Sequence, residues 1–162
     1  MKRIATILAC VLLAGAAGAT NYVLTTSGPT AWENTSNWTP NGNPGAASGD
    51  SAYLTNSTLV GTNILSITPV NALTAVALSN STGHLVLDVT NCTLNTTALN
   101  LYNNGIIEID NGGVLTNTTP TIYGANNIIY LNTGGQWNGS ATLPVINYLD
   151  QRCAVSRNMG KR

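Results

Sequence analysis

The chain has 162 residues and a mass of 16.8 kDa, and only 7% of them are Asp, Glu, Lys or Arg, against roughly 25% in an ordinary globular domain. The six basic residues are Lys2, Arg3, Arg152, Arg157, Lys161 and Arg162, so no cationic side chain between Ile4 and Gln151 can neutralise a phosphate, which argues against nucleic-acid binding. A hydrophobic content of 43%, a mean hydropathy of +0.11 and a formal net charge of zero also argue against disorder, which needs low hydrophobicity or high net charge.

At the amino terminus Lys2 and Arg3 precede an uncharged apolar run, Ile4 to Leu13, and small residues follow up to Ala17-Gly18-Ala19. This is the pattern of a secretory signal peptide, residues 1–19, cut before Thr20. The run dissolves into Ala and Gly after Leu13, short of the roughly 20 apolar residues a membrane span needs. Leu8-Ala9-Cys10 has a lipobox-like order, but the apolar run before it is short and more apolar sequence follows. Export leaves two cysteines, Cys92 and Cys153, which an oxidising compartment allows to pair. A buried, unpaired Cys92 is the alternative, because it falls where the repeat described next puts Val114.

Twenty-two Asn and 23 Thr, with no Phe, favour strands and Asn-rich turns over helices. A fixed period organises them. Gly105-Ile106-Ile107-Glu108-Ile109-Asp110-Asn111-Gly112-Gly113 recurs 22 residues later as Asn127-Ile128-Ile129-Tyr130-Leu131-Asn132-Thr133-Gly134-Gly135. The same interval earlier stands Gly83-His84-Leu85-Val86-Leu87-Asp88-Val89-Thr90-Asn91. The second part of each window repeats more loosely. Ala98-Leu99-Asn100-Leu101 leads into Asn103-Asn104-Gly105, and Thr121-Ile122-Tyr123 into Ala125-Asn126-Asn127, while Ala75-Val76-Ala77-Leu78 fits with one residue inserted. Each window holds at least two short strands of period two, separated by Gly and Asn turns.

Strands this short cannot bury a face alone and must stack on their neighbours. The expected fold is all-β: a right-handed, single-stranded parallel β-helix of about four coils, occupying residues 61–148. Coils lie about 4.8 Å apart, so equivalent residues form columns. A gapless register puts Leu85, Ile107 and Ile129 in one inward column and Leu87, Ile109 and Leu131 in the next, with Val86, Glu108 and Tyr130 outward. An antiparallel sandwich also has short, evenly spaced strands, but a constant 22-residue register is not expected of it.

Residues 20–60 precede the repeats and contain Ala31-Trp32-Glu33-Asn34-Thr35-Ser36-Asn37-Trp38-Thr39-Pro40, then Asn43-Pro44 and Gly49-Asp50-Ser51-Ala52. With the G-x-h-x-h-x-x-G-G rungs, this resembles bacterial secreted β-helix proteins of the autotransporter-associated β-strand type, often found with a PEP-CTERM sorting tail. Trp32, Asn37, Trp38, Pro44, Gly49, Asp50 and Ala52 stand at the matching positions, and the resemblance covers roughly residues 28–146. It implies a passenger-like, cell-surface or extracellular module. Neither a sorting helix with basic tail nor an outer-membrane barrel is recognisable. Residues 149–162 instead break sharply in composition and read as a basic tail, truncated or poorly ordered. Trp32 and Trp38 fit a cap over the open end of the solenoid, with stacking on sugar rings as the alternative.

The candidate site residues are few. In the gapless register Asp88 and Asp110 are equivalent on adjacent coils, about 5 Å apart, near the carboxyl separation of a retaining glycosidase. With Glu108 they are also weak candidates for a calcium site. Asp88, Asp110 and Asn132 each end a strand before a turn, so turn formation explains them more simply. His84, the one histidine, has no ligand partner at metal spacing, and no Walker loop, G-x-S-x-G, C-x-x-C or H-E-x-x-H occurs. Eight N-x-S/T sequons, at Asn34, Asn37, Asn56, Asn80, Asn91, Asn95, Asn117 and Asn138, follow from the abundance of Asn and Thr. The sequence thus points to a non-catalytic exported structural protein without a cofactor or a membrane span after cleavage. A carbohydrate-binding or adhesive module using outward Tyr130 and Trp137, with extracellular polysaccharide or surface components as partners, is the second reading, and a polysaccharide-degrading enzyme the third.

Overall fold

A computed structural model describes residues 18–81 and 85–139, and the backbone of 146–148. Most of the segment expected to be a signal peptide, Gly83, His84, Asp150, Cys153 and the residues expected to form a basic tail lie outside the described residues. The chain is all-β. Its strands are β1 (Asn21–Leu24), β2 (Thr30–Ala31), β3 (Trp38–Thr39), β4 (Ser51–Leu54), β5 (Gly61–Leu65), β6 (Leu73–Leu78), β7 (Leu85–Thr90), β8 (Thr93–Leu101), β9 (Ile106–Asp110), β10 (Val114–Ile122), β11 (Ile128–Leu131), β12 (Gln136–Gly139) and β13 (Ile146–Tyr148), with one short 3-10 helix at Thr35–Asn37. No helix among the described residues is long and apolar enough to cross a membrane.

From β4 onward the strands alternate between two sheets. One has the order β12-β10-β8-β6-β4-β1-β3 and the other β13-β11-β9-β7-β5-β2. Every pairing is parallel except β1 with β3 at the end of the first sheet. This is a β-solenoid of about 4 turns, with successive turns about 22 residues apart. Period-two alternation decides what points inward. In β7 and β9 every second residue is buried, and facing columns from the two sheets meet in one apolar core.

The columns differ from the gapless reading in one place. Ile107 pairs with Ile129 and Ile109 with Leu131, as the 22-residue period requires. One coil lower, however, Leu87 pairs with Ile107 and Val89 with Ile109. The inward columns are therefore Leu87–Ile107–Ile129 and Val89–Ile109–Leu131, not Leu85–Ile107–Ile129 and Leu87–Ile109–Leu131. The cause is the corners, each of which is one residue shorter in the lower coil: Asn91-Cys92 stands where the upper coil has Asn111-Gly112-Gly113, and Tyr102-Asn103-Asn104-Gly105 where it has Tyr123-Gly124-Ala125-Asn126-Asn127. A slip of two residues preserves the pleat's parity and keeps each side chain on its expected face. The inserted residue read at Ala75-Val76-Ala77-Leu78 is present, because these residues pair with Ala98-Leu99-Asn100-Leu101.

The nine-residue strands β8 and β10 each bend in the middle. Their inward positions are Leu94, Thr96, Leu99 and Leu101, and one coil above them Leu115, Asn117, Pro120 and Ile122, so the phase changes between Thr96 and Leu99. At the bend the Thr97 carbonyl accepts hydrogen bonds from the Thr118 and Thr119 hydroxyls, each 2.9 Å. At the corner after β9, Gly113 packs against the coil below, where a Cβ would collide with the Val89 carbonyl.

The cap expected from Trp32 and Trp38 is visible as packing. The rings meet edge to face at 4.9 Å and are 1% and 0% exposed, at the end where β3 runs antiparallel to β1. Ile109→Ala should lower the unfolding free energy by about 2–5 kcal/mol through the cavity it leaves. Asn95→Ala, on the exposed side of β8, should change it by less than about 0.5 kcal/mol. Denaturant titration of the two variants checks the inward and outward assignments.

Candidate functional site

The carboxylates singled out in the sequence lie on the outer face of the six-stranded sheet. Ile64, Asp88, Glu108 and Tyr130 occupy successive positions of one column, which continues to Asn147. Val86, Ile106 and Ile128 form the neighbouring outward column. All of these described side chains are half-buried. The shortened coil removes the expected stacking of Asp88 on Asp110: Asp88 faces Glu108, and Asp110 faces Thr90. The pairing that resembled a glycosidase dyad is therefore not formed by those two residues.

Desolvation dominates the electrostatics of this column. Burial raises the Asp88 carboxyl above its ordinary 3.8, the negative charge of Asp110 raises it further, and a hydrogen bond from the Thr90 side chain offsets part of the effect. One Asp88 oxygen, Oδ1, is buried without a hydrogen-bond partner. Glu108 is raised above 4.5 by burial, then by Asp110 and Asp88. The column thus carries repulsion with no cation among the described residues to relieve it. Among the described residues no group of three or more His, Cys, Asp or Glu is placed to hold a metal ion, so Asp88, Glu108 and Asp110 do not converge as the calcium site considered from sequence.

The two remaining described acids serve the backbone. Glu33 Oε1 accepts the N–H groups of Ser66 at 3.1 Å and Ile67 at 2.9 Å. Asp50 accepts those of Thr20, Gly45 and Ala47. Cys92 is a free, buried thiol that donates to the Leu65 carbonyl at 3.2 Å. Burial first, with lesser contributions from Glu33 and Asp88, pushes it up to about 11 against a backbone hydrogen bond that lowers it. Its thiolate is suppressed at neutral pH.

The two proposed ligand-contact aromatics separate. Tyr130 stays on the outer face between Glu108 and Asn147. Trp137 does not point outward. It is 6% exposed and stands in the inward column Leu94–Leu115–Trp137. Its Nε1 donates to Asn117 Oδ1 at 2.7 Å, and its ring lies over Gly139, where a Cβ would overlap it. A single-residue parity error places it on the wrong face, and the hydrogen bond explains why a buried indole is tolerated there.

Sequence reasoning missed a different aromatic pair. Tyr102 and Tyr123, at a corner, stack at 5.5 Å with planes 5° apart and are 37% and 57% exposed. Beside them runs an amide ladder in which Asn104 Nδ2 donates to the Asn80 carbonyl at 2.8 Å and Asn126 Nδ2 to Asn104 Oδ1 at 3.1 Å. The signal was available: each Tyr follows the last inward residue of its strand, Leu101 or Ile122.

Comparison with protein-family models, with curated proteins and with solved structures returns no match.

The raised carboxyls fix the sign of a pH effect. A group that binds its proton more tightly when folded stabilises the fold while protonated, and that stability is lost as pH rises from its unfolded pKa through the folded value. Asp88→Asn should therefore raise the thermal midpoint at pH 7 by a few degrees and leave it nearly unchanged at pH 3, as read by circular dichroism. Trp137→Ala should cost about 3–5 kcal/mol of stability in the same assay, the cost of emptying a core aromatic site.

Proposed function

We propose that this chain is a non-catalytic, exported structural protein, a rigid β-helical module for a cell surface or extracellular matrix. The observation that carries the reading is how the fold uses its chemically distinctive residues. Trp32, Trp38 and Trp137 are buried, Asp50 and Glu33 hold backbone N–H groups, and the Asn side chains bridge successive coils. The leader-like amino terminus and the resemblance to autotransporter-associated passenger modules support export. Such a column of strands offers a hydrated Asn and Thr surface and few frayed segments for a protease to enter.

The full chain, made in a bacterial host with its own amino terminus, should appear outside the cytoplasm in shortened form and resist a nonspecific protease. Retention in the cytoplasm at full length, or rapid digestion, would overturn the proposal, as would turnover of a polysaccharide by the purified protein.

A carbohydrate-binding role is the second reading, and the observation favouring it is the exposed Tyr102–Tyr123 stack beside the amide ladder, since planar exposed aromatics suit the apolar faces of sugar rings. Binding on a glycan array that disappears in Tyr123→Ala and persists in Tyr130→Ala would place recognition at that corner.

A further inference from the structure

The Asp50 carboxylate is wholly buried, at 0% exposure. Its Oδ1 accepts Thr20 N–H at 3.0 Å, and its Oδ2 accepts Gly45 N–H at 3.1 Å and Ala47 N–H at 3.0 Å. A carboxylate taken out of water is stabilised in part by hydrogen bonds from backbone N–H groups and more completely by an opposite charge. The described residues have none to offer. No Lys or Arg stands between Ile4 and Gln151, and the residues hydrogen-bonded to Thr20 and Asp50, namely Gly18, Gly45, Ala47, Ser51 and Thr74, are uncharged.

One cation can still be made at this spot. Thr20 directly follows the small-residue sequence Ala17-Gly18-Ala19. Gly18 and Ala19 are exposed, whereas Thr20 is half-buried and fixed by the Ser51 N–H, which donates to its carbonyl at 2.9 Å. We propose that hydrolysis of the Ala19–Thr20 peptide bond creates the missing counter-charge, so that the new α-ammonium of Thr20 forms an ion pair with buried Asp50 and completes the amino-terminal cap. A leader-removing peptidase adds water across the C–N bond. Ala19 departs with the carboxylate, and the Thr20 nitrogen, already at hydrogen-bond distance from Oδ1, gains the protons of an ammonium. An amide-to-carboxylate hydrogen bond becomes a charge-assisted one with no movement of the chain. Because Asp50 also clamps the Gly45–Ala47 loop, next to the Pro44 carbonyl that accepts from Trp32 Nε1 at 3.2 Å, processing is coupled to closure over the tryptophans.

The proposal rests on the export reading, and its test separates the two. The full chain carrying Lys161→Arg, exported through its own leader, yields a product whose sole amine is the α-amine. Mass spectrometry of that product should show Thr20 as the first residue. A different first residue overturns the pairing while leaving export intact, and an uncleaved, retained chain overturns both. The α-amine is then tagged by reductive methylation with carbon-13 formaldehyde and titrated by NMR. An ammonium paired in the folded state keeps its proton above the ordinary range of about 7.7–8.0, and its stabilisation is lost as pH rises through that elevated value. We expect a midpoint at least about one pH unit higher in the folded protein than in the same protein in concentrated urea, a tenfold change in proton affinity. Asp50→Asn should abolish the difference. If that variant fails to fold, the folded-against-urea comparison still decides, since equal midpoints in the two states overturn the proposal.

Discussion

Stacking coils in a parallel solenoid puts each residue directly above another at a spacing of about 4.8 Å, so every position must tolerate a near copy of its own environment. For apolar residues the demand is easily met. Leu87, Ile107 and Ile129 extend one continuous hydrophobic column, and burial grows with each coil. The same demand is adverse for charge, because a carboxylate stacked near a carboxylate gains repulsion without solvation. The low charge content of this chain follows directly. Thr and Asn fill the outer face because they are polar, stack on themselves, and bond between coils through hydroxyl or amide groups, as Asn80, Asn104 and Asn126 do.

Corners absorb what the columns forbid. Asn91, Asn104, Asn111 and Asn126 take positive φ at the turns, a conformation in which Asn is better tolerated than most residues, and the side chains of Asn104 and Asn126 bond to the neighbouring coil. Varying corner length lets the chain add or drop residues without changing which face a strand presents, provided parity is kept. The corner containing Cys92 is one of two that are a residue short, and the thiol that stands in place of Gly112-Gly113 there is buried and bonded to Leu65. A cysteine at a coil corner is thus a packing residue, set apart from redox chemistry by desolvation.

The legibility of this fold in its sequence follows the same division. Alternation and period depend on local geometry, so the solenoid, the inward Ile107 and Ile109, and the outward Glu108 and Tyr130 could be read directly. Register depends on corner length, which sequence similarity concealed: aligning Gly83 with Gly105 preserved hydrophobic identity and parity, and so gave no sign that Asp88 pairs with Glu108. Trp137 stands 22 residues after Leu115 and shares its inward column, so the period that matches Gly112-Gly113 with Gly134-Gly135 also carries its orientation. The Tyr102–Tyr123 pair stands at 21 residues, one short of the dominant period, and is marked in the sequence by its place after the last inward residue of each strand.

The ends of a solenoid cannot obey the stacking rule, since the last coil has nothing above it and its apolar bore would open to water. Here the amino-terminal end is closed by two mutually packed tryptophans whose indole N–H groups are satisfied by the Pro44 and Trp32 carbonyls, at 3.2 and 2.8 Å. That plug needs a fixed loop, and the loop is fixed by a buried Asp50. A neutral Asn at position 50 would offer one carbonyl oxygen where the carboxylate offers two, and the three N–H groups converging from Thr20, Gly45 and Ala47 use both oxygens. Closure of the end therefore selects for a charge of the kind that stacking disfavours, as the raised Asp88 and Glu108 carboxyls illustrate. Under the processing proposed above, the amino group of Thr20 would supply a cation beside Asp50 without a basic side chain.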